Sequence, residues 1–147
     1  MRALIAMSGG VDSSVAALLT MQQGFNCIGA TMHLHDSGCA ADAAAVADKL
    51  GIPFYEFDCR AEFCQRIKDH FVRSYEEGLT PNPCIECNRH LKFDHLLRRG
   101  KELGCDYVVT GHYAQIRQDD ASGRWLLQKA ADAAKDQTYF LYALTQH

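Results

Sequence analysis

The stretch Ala6-Met7-Ser8-Gly9-Gly10-Val11-Asp12-Ser13-Ser14, near the start of the chain, decides the fold. The apolar run from Ala3 to Ala6 predicts a buried strand before it, and Val15 to Leu19 predicts the apolar face of a helix after it. A glycine turn between a strand and a helix forms an anion site, because the first N–H groups of the helix lack partners and its dipole is positive there. We therefore expect this stretch to bind phosphate.

The residue types within the stretch suit that role. Gly9 and Gly10 are expected to let the backbone approach a ligand where a Cβ would clash. The serines of the stretch add hydroxyl donors. Asp12 places a carboxylate in a site built for phosphate, and a bound Mg²⁺ held by that carboxylate would reconcile the two negative groups.

The stretch differs from two familiar phosphate-binding loops. No Lys follows its last glycine, as the Walker A pattern requires, and Ser13 stands where the dinucleotide fingerprint has a third glycine. The remaining pattern, Ser-Gly-Gly-Val-Asp-Ser at residues 8–13, resembles the PP-loop of the N-type ATP pyrophosphatases. That resemblance implies cleavage of ATP to AMP and pyrophosphate, with the loop holding the pyrophosphate part.

Length and composition predict one globular domain, since the chain has 147 residues, of which 48% are hydrophobic and 22% charged. No apolar run approaches the roughly 20 residues of a transmembrane helix and no signal peptide is recognised, so we expect a cytoplasmic protein without membrane contact. The seven cysteines favour reactive or metal-binding thiols over a disulfide framework, because their number is odd. A formal charge of −3 excludes a globally basic nucleic-acid binder but allows a local basic patch.

Strands and helices are expected to alternate along the chain. The pattern predicts further strands at residues 26–33, 54–57 and 106–110, helices at 39–50, 61–77, 83–103 and 139–144, and a hairpin at 114–127. Asn82 and Pro83 suit a helix N-cap and first helical residue. This alternation predicts an α/β doubly wound parallel sheet with helices on both faces. Ligands bind such sheets at the carboxyl ends of the strands, where the loop, Met32 and Gly111-His112 should line one pocket.

A second informative stretch, Thr80 to Asn88, contains Cys84 and Cys87 near a predicted helix start. The helix dipole, together with Arg89 and Lys92, is expected to stabilise a thiolate at Cys87. The Cys84-x-x-Cys87 spacing is also half of a redox or metal site, which needs further ligands to be complete. Two buried thiols that pack as small hydrophobic groups are the structural alternative.

Together these blocks resemble the N-terminal catalytic domain of the tRNA-specific 2-thiouridylases. The matching blocks follow the family's order at residues 6–17, 29–32, 80–84, 87–88, 92–93, 110–114, 135–137 and 139–141. The resemblance implies that residues 1–147 are the PP-loop ATP-binding catalytic domain, truncated before the family's later tRNA-binding domains. It also implies that ATP adenylates the C2 oxygen of the wobble uridine of tRNA, which sulfur from a cysteine persulfide then replaces.

The resemblance assigns roles by position. ATP binding falls on Ala6, Met7, Ser8, Gly9, Gly10, Val11, Asp12, Ser13, Met32 and Gly111. Contacts with tRNA or its target base fall on Asn82, Pro83, Cys84, His112, Lys135, Asp136 and Gln137. Cys87 matches the catalytic nucleophile, and Cys84 is a second catalytic candidate at a position where many members carry Asp. The implied cofactors are ATP and Mg²⁺, and the implied partners are tRNA and a persulfide sulfur donor protein.

The chain also departs from the family's pattern. The second catalytic cysteine, which carries the persulfide, would lie beyond His147, and the segment from Asp36 to Cys39 is shorter than the usual loop. An Fe–S cluster is compatible with the full-length enzyme but is not expected in this fragment, which has two of the three cysteines required. The alternatives are another PP-loop adenylating enzyme, such as a lysidine, GMP or argininosuccinate synthetase, and a catalytically incomplete ATP-binding fragment. The cysteine pair counts against the amide-forming ligases, which need no thiol.

Overall fold

A four-stranded parallel sheet forms the centre of the molecule, in a computed structural model that describes residues 1–35 and 40–146. Its strands are β1 (Arg2–Ala6), β2 (Asn26–His33), β3 (Phe54–Asp58) and β4 (Tyr107–Val109), in the order β3-β2-β1-β4. The chain moves outward from β1 to β3 and then returns to the other side of β1. The strand order therefore reverses between β1 and β4, which confirms the predicted doubly wound sheet. The shortened segment from Asp36 to Cys39 lies outside the described residues, as does His147.

Four helices connect the strands of the sheet within residues 1–35 and 40–146. They are α1 (Val11–Gln22), α2 (Ala40–Leu50), α3 (residues 60–76) and α4 (residues 83–102). Within α3 and α4, the segments Cys64–Lys68 and Asn88–His95 form wider π-helical turns, and the backbone stays helical on both sides of each. Such turns occur often at functional sites, because the extra residue redirects the side chains around it.

The helices cover both faces of the sheet. Successive residues of a strand point to opposite faces, and β1 shows this clearly. Leu4 belongs to a buried cluster with residues of α3 and α4, including Ile67 and Leu96. Ala3 and Ile5 belong to a second buried cluster with alanines of α1 and α2. The two clusters confirm that helices pack on both faces.

The buried face of α1 differs from the prediction. Val15, Leu18 and Leu19 are 45%, 42% and 51% exposed, whereas Ala17 and Thr20 are buried. Small side chains on the inner face let α1 lie close to β1 and β2, and the larger apolar residues then point outward. The prediction of an apolar inner face from Val15 to Leu19 was therefore wrong for its large residues.

The predicted hairpin is present after β4. Its strands, β5 (Gln115–Gln118) and β6 (Trp125–Gln128), pair antiparallel with Ile116 opposite Leu127, and they form a separate sheet. Within the described ranges, no helix combines the length and the apolar character needed to cross a bilayer.

The end of the chain is less helical than predicted. Instead of a helix over residues 139–144, the structure has two 3₁₀ turns, Ala133–Lys135 and Thr138–Leu141. Leu141 is buried, whereas Tyr139 and Tyr142 are 66% and 65% exposed. An α-helix in a protein depends on a packed apolar face, and this short segment offers too few buried residues to stabilise one.

Candidate functional site

The carboxyl ends of the central strands surround a cavity of about 310 Å³. This volume lies at the lower end of the range of about 300–1,000 Å³ that is common for small-molecule sites. The predicted site residues that line it are Ala6, Met7, Ser8, Asp12, Ser13, Met32, Gly111, His112 and Gln137. The structure thus brings part of the loop together with Met32 and Gly111-His112, at the point where the strand order reverses. The predicted loop residues Gly9, Gly10 and Val11 are not among those that line the cavity.

At the start of α1, three backbone N–H groups have no acceptor in the part of the chain that the structure describes. Helix α1 begins at Val11, with Gly10 as its N-cap. The first N–H that bonds back within the helix belongs to Ser14, which donates to the Gly10 carbonyl at 3.2 Å. The N–H groups of Val11, Asp12 and Ser13 therefore have no acceptor within the helix. With the positive end of the helix dipole, they form a site for an anion.

The two glycines of the loop have different roles. Gly9 has φ +80, and a Cβ added there would lie 2.6 Å from the Cβ of Asp42. Gly10 has φ −79 and is extended, and an added Cβ would meet only the Ser8 hydroxyl, at 3.5 Å. Packing among the described residues therefore requires a glycine at Gly9, which combines left-handed backbone with a close neighbour, but not at Gly10. The expected close approach of a ligand to the two glycines stays a prediction.

The serine hydroxyls of the loop are largely engaged with the loop itself. The buried Ser13 hydroxyl donates to the Gly10 carbonyl at 3.1 Å and accepts from the Ser8 N–H at 3.2 Å. The Ser14 hydroxyl donates to the same carbonyl at 2.8 Å. These hydroxyls stabilise the turn, whereas the sequence suggested them as ligand donors. Ser8 is exposed at the cavity and remains a candidate donor.

Gly111 sets how closely the segment after β4 approaches the loop. A Cβ added at Gly111 would lie 2.9 Å from the carbonyl carbon of Asp12 and 2.9 Å from the nitrogen of Ser13. The two segments are therefore in backbone-to-backbone contact across the mouth of the sheet. A residue with a side chain would force them apart.

Asp12 lies on the cavity wall, where Tyr113 donates its hydroxyl to the Oδ1 atom of Asp12 at 2.7 Å. This hydrogen bond and the charge of the carboxylate raise the pKa of Tyr113. In residues 1–35 and 40–146, no group of three or more His, Cys, Asp or Glu side chains could hold a metal ion. A single carboxylate beside an anion site fits Mg²⁺ that arrives with phosphate, because Mg²⁺ keeps its waters and takes few protein ligands.

Lys92, from the π-helical turn of α4, adds a positive charge to the cavity. The sequence places Lys92 near Cys87 and within one of the blocks that match the family, but it assigns Lys92 no role at the loop. A phosphate-binding loop without its own lysine needs a cation from another part of the chain. The missing lysine in residues 8–13 was therefore the sequence feature that could have pointed to such a residue. The contribution of Lys92 to this site was missed because α4 is distant from the loop in the sequence.

His112 is held as a neutral imidazole. Its Nδ1 lies 2.8 Å from the Thr110 hydroxyl, and its ring stacks on Phe93. Burial, and secondly the charge of Lys92, lower the pKa of His112 to about 4. Near neutral pH the ring can therefore donate or accept a hydrogen bond, but it carries no charge.

The two thiols of the second stretch differ in environment, and neither lines the cavity. Asn82 is the N-cap of α4, and its Oδ1 accepts the N–H of the exposed Cys84 at 3.1 Å. Cys87 lies one turn further along and packs against the core. Burial raises the pKa of Cys87, and the opposing charge of Lys92 does not reverse this. The prediction of a stabilised thiolate at Cys87 is therefore wrong, because burial outweighs the charge of Lys92.

We expect Cys84 to react faster than Cys87 with a small alkylating reagent near neutral pH, because Cys84 is exposed at the helix start. Cys59 should react slowest, since burial raises its pKa to about 11. Mass spectrometry after brief competitive labelling would rank the thiols, with unfolded protein as the control for intrinsic reactivity. Faster labelling of Cys87 than of Cys84 would contradict this order.

The three residues from Lys135 to Gln137 have separate environments. Lys135 is exposed, and Gln137 lines the cavity. Both carboxylate oxygens of Asp136 are occupied, by the Ala130 N–H at 2.8 Å and the Thr138 hydroxyl at 2.7 Å, and these bonds lower its pKa. Asp136 therefore stabilises its own turn, which leaves Lys135 as the charged group that faces solvent.

Comparisons with known proteins show similarity along the whole chain. The family model described as the tRNA methyl transferase HUP domain matches residues 1–147. The tRNA-specific 2-thiouridylase MnmA of Clostridioides difficile is 50% identical over 99% of the chain, and that of Symbiobacterium thermophilum is 52% identical over 99%. The chain spans 44% and 42% of the length of these two relatives.

Solved structures share the fold at low sequence identity. A predicted subunit of tRNA methyltransferase from Methanocaldococcus jannaschii is 17% identical, with a TM-score of 0.52, and covers 84% of this chain and 57% of its own. A glutamine-dependent NAD⁺ synthetase from Acinetobacter baumannii, in complex with ADP, is 17% identical with a TM-score of 0.52. The similar part makes up 72% of this chain and 20% of the synthetase chain. These similarities establish the architecture.

Proposed function

This chain belongs to the tRNA-specific 2-thiouridylase family, and we propose that it is the ATP-binding catalytic part of an enzyme that thiolates the wobble uridine of tRNA. One observation carries the proposal. One cavity at the carboxyl ends of the strands is lined by Asp12 and Ser13, whose N–H groups have no acceptor within α1, and by Lys92. Backbone donors, a carboxylate and a cation around one cavity suit a nucleotide whose phosphates carry Mg²⁺.

In this proposal, ATP lies with its phosphates at the N-terminus of α1 and its adenine towards Met32. The C2 oxygen of the uridine attacks the α-phosphorus, and pyrophosphate leaves. The N–H groups of Val11, Asp12 and Ser13, with the ammonium of Lys92, stabilise the negative charge that develops on the departing group. Mg²⁺, held at Asp12 when bound, would supply further neutralisation of the phosphate charge.

Adenylation is required because a urea-like C2 carbonyl is a poor electrophile. Once AMP is the leaving group, the terminal sulfur of a persulfide attacks C2 and AMP departs. The Cys87 thiolate then attacks the inner sulfur, which releases the thiolated base and leaves a disulfide between Cys87 and the persulfide carrier. Since burial raises the pKa of Cys87 even with Lys92 beside it, the thiol must lose its proton as it attacks the inner sulfur.

The residues around this chemistry have supporting roles in the proposal. Asn82 and Pro83 shape the start of α4 and present Cys84 near the target base. His112 is a neutral hydrogen-bonding group between the nucleotide and the tRNA. Lys135 contributes a phosphate contact from solvent, which should weaken as salt rises.

The direct test uses the natural protein that carries this domain, with tRNA, ATP, Mg²⁺ and a persulfide donor. We expect 2-thiouridine in the tRNA and one AMP for each sulfur incorporated, measured by nucleoside mass spectrometry and nucleotide chromatography. AMP formation without sulfur incorporation would contradict the proposal and favour another PP-loop adenylating enzyme. If the protein binds no ATP, both functions are contradicted, thiolation of tRNA and the reaction of another PP-loop adenylating enzyme.

Asp12→Asn should lower the affinity for ATP in the presence of Mg²⁺ by about tenfold, because it removes the carboxylate charge that the metal needs. Titration calorimetry with and without Mg²⁺ measures this effect. Asp48→Asn is the matched control, since Asp48 is exposed on α2 and does not line the cavity. If Asp12→Asn and Asp48→Asn bind ATP equally well in the presence of Mg²⁺, Asp12 does not hold the metal.

A further inference from the structure

Tyr113 links two parts of the molecule that are distant in sequence. It follows β4 closely, two residues after Gly111, and its hydroxyl donates to the Oδ1 atom of Asp12 at 2.7 Å. Asp12 lies in the first turn of α1, and the two residues are 101 positions apart. The bond therefore ties the segment after β4 to the phosphate loop through side chains, beside the backbone contact at Gly111.

Tyr113 is also held from the opposite direction by the segment 135–137. Its N–H donates to the Gln137 side-chain carbonyl at 3.0 Å, and its carbonyl accepts the Gln137 N–H at 2.9 Å. The Lys135 ammonium lies 5.7 Å from the centre of the Tyr113 ring, within the range of a cation–π contact. Gln137 itself lines the cavity that Asp12 faces.

We propose that Tyr113 is a positioning residue that orients the Asp12 carboxylate for Mg²⁺-bound nucleotide and couples that carboxylate to the segment 135–137. This inference rests on the proposed function, in which Asp12 holds the metal. The Tyr113 hydroxyl engages one carboxylate oxygen, and in residues 1–35 and 40–146 no group donates to the other, Oδ2. The carboxylate is thus oriented while it keeps an oxygen for the metal.

Fixing the carboxylate in advance matters because an exposed side chain loses rotamer freedom when it binds a ligand. Asp12 is exposed, so without the hydroxyl its carboxylate would sample several orientations. One main-chain hydrogen bond and one bond to the Gln137 side chain join the position of Tyr113 to that of Gln137. Binding of Mg²⁺-nucleotide at Asp12 should therefore restrain the segment 135–137, and tRNA contacts on that segment should in turn favour nucleotide binding.

Tyr113→Phe tests the inference, because it removes the hydroxyl and retains the ring that faces Lys135. In the natural protein, we expect about a tenfold loss of affinity for ATP in the presence of Mg²⁺, and less than about a twofold change in EDTA. Tyr139→Phe is the matched control, since it removes the same atom from an exposed ring elsewhere in the C-terminal part. In an Asp12→Asn background, Tyr113→Phe should have no further effect, because Tyr113 acts through Asp12.

Coupling to the segment 135–137 has its own readout. Trypsin cleaves after Lys135, and Mg²⁺-ATP should slow that cleavage in the parent protein but not in Tyr113→Phe. Two results for Tyr113→Phe would overturn the inference while leaving the proposed function intact. One is an equal loss of ATP affinity with and without Mg²⁺, and the other is parental ATP affinity together with parental protection of Lys135 from trypsin. Failure of the parent protein to bind Mg²⁺-ATP would instead overturn the proposed function, and the positioning role with it.

Discussion

Gly111→Ala is expected to abolish detectable ATP binding and to lower the melting temperature by about 3–10 °C. The added Cβ would lie 2.9 Å from the Asp12 carbonyl carbon, 2.9 Å from the Ser13 nitrogen and 3.1 Å from the Asp12 carbonyl oxygen. All three are backbone atoms, so no side-chain rotation relieves the contact. The start of α1 must move, and the N–H groups that would hold phosphate move with it. Thermal unfolding and titration calorimetry measure the two effects.

Gly10→Ala is the matched control for this variant. It adds the same methyl group to the loop between β1 and α1, where the backbone is extended. Among the described residues, the added atom meets only the Ser8 hydroxyl, at 3.5 Å. We expect its melting temperature to equal that of the parent protein. Loss of ATP affinity at unchanged stability would then report close approach of the ligand to residue 10. Parental stability and ATP affinity in Gly111→Ala would refute the contact between the two segments.

Lys92→Met is expected to weaken ATP binding by roughly 10- to 100-fold, because it removes the cation from the cavity while keeping the length of the side chain. The substitution should also shift the pKa values of His112 and Cys87. The positive charge of Lys92 disfavours a protonated His112 and favours an ionised Cys87. Removing that charge should therefore raise the pKa of both groups, with His112 moving upward from about 4.

The measurements are titration calorimetry with Mg²⁺-ATP and an NMR titration of His112. Lys101→Met serves as the control, since it makes the same change of charge at an exposed position of the same helix, away from the cavity. Equal ATP affinities in the two variants would show that net charge alone matters. An unchanged His112 titration in Lys92→Met would show that Lys92 does not act on the cavity at close range.

The fold could be predicted from the sequence because its signals are local. The apolar run of β1, the glycine turn and the start of α1 lie within some twenty residues, and each follows from backbone chemistry and periodicity. The helix stop at Gly24 needs only the left-handed backbone, φ +85, that glycine adopts readily. Alternation of such elements then leaves the doubly wound parallel sheet as the natural arrangement.

The chemistry of individual side chains could be predicted less well. The sequence shows that Cys87 lies near a helix start and basic residues, which predicts a low pKa. In the structure, burial against the core instead raises the pKa of Cys87. Likewise the Ser13 hydroxyl was counted as a ligand donor until its bonds within the loop were known. Burial and hydrogen-bond occupancy depend on residues that pack together from distant parts of the chain, and periodicity carries no information about them.

The sequence by itself determined the sheet, the glycine turn between β1 and α1 and the family to which the chain belongs, because each depends on patterns within short stretches. Only the tertiary structure decided that Lys92 faces the cavity, that Gly111 contacts the start of α1 and that Tyr113 holds Asp12. Gly111 and Tyr113 lie about 100 positions from Asp12 in the sequence, and Lys92 lies about 80. The parallel sheet brings the carboxyl ends of its strands to one edge, where the first two meet the start of α1 and where Lys92 reaches the cavity from α4.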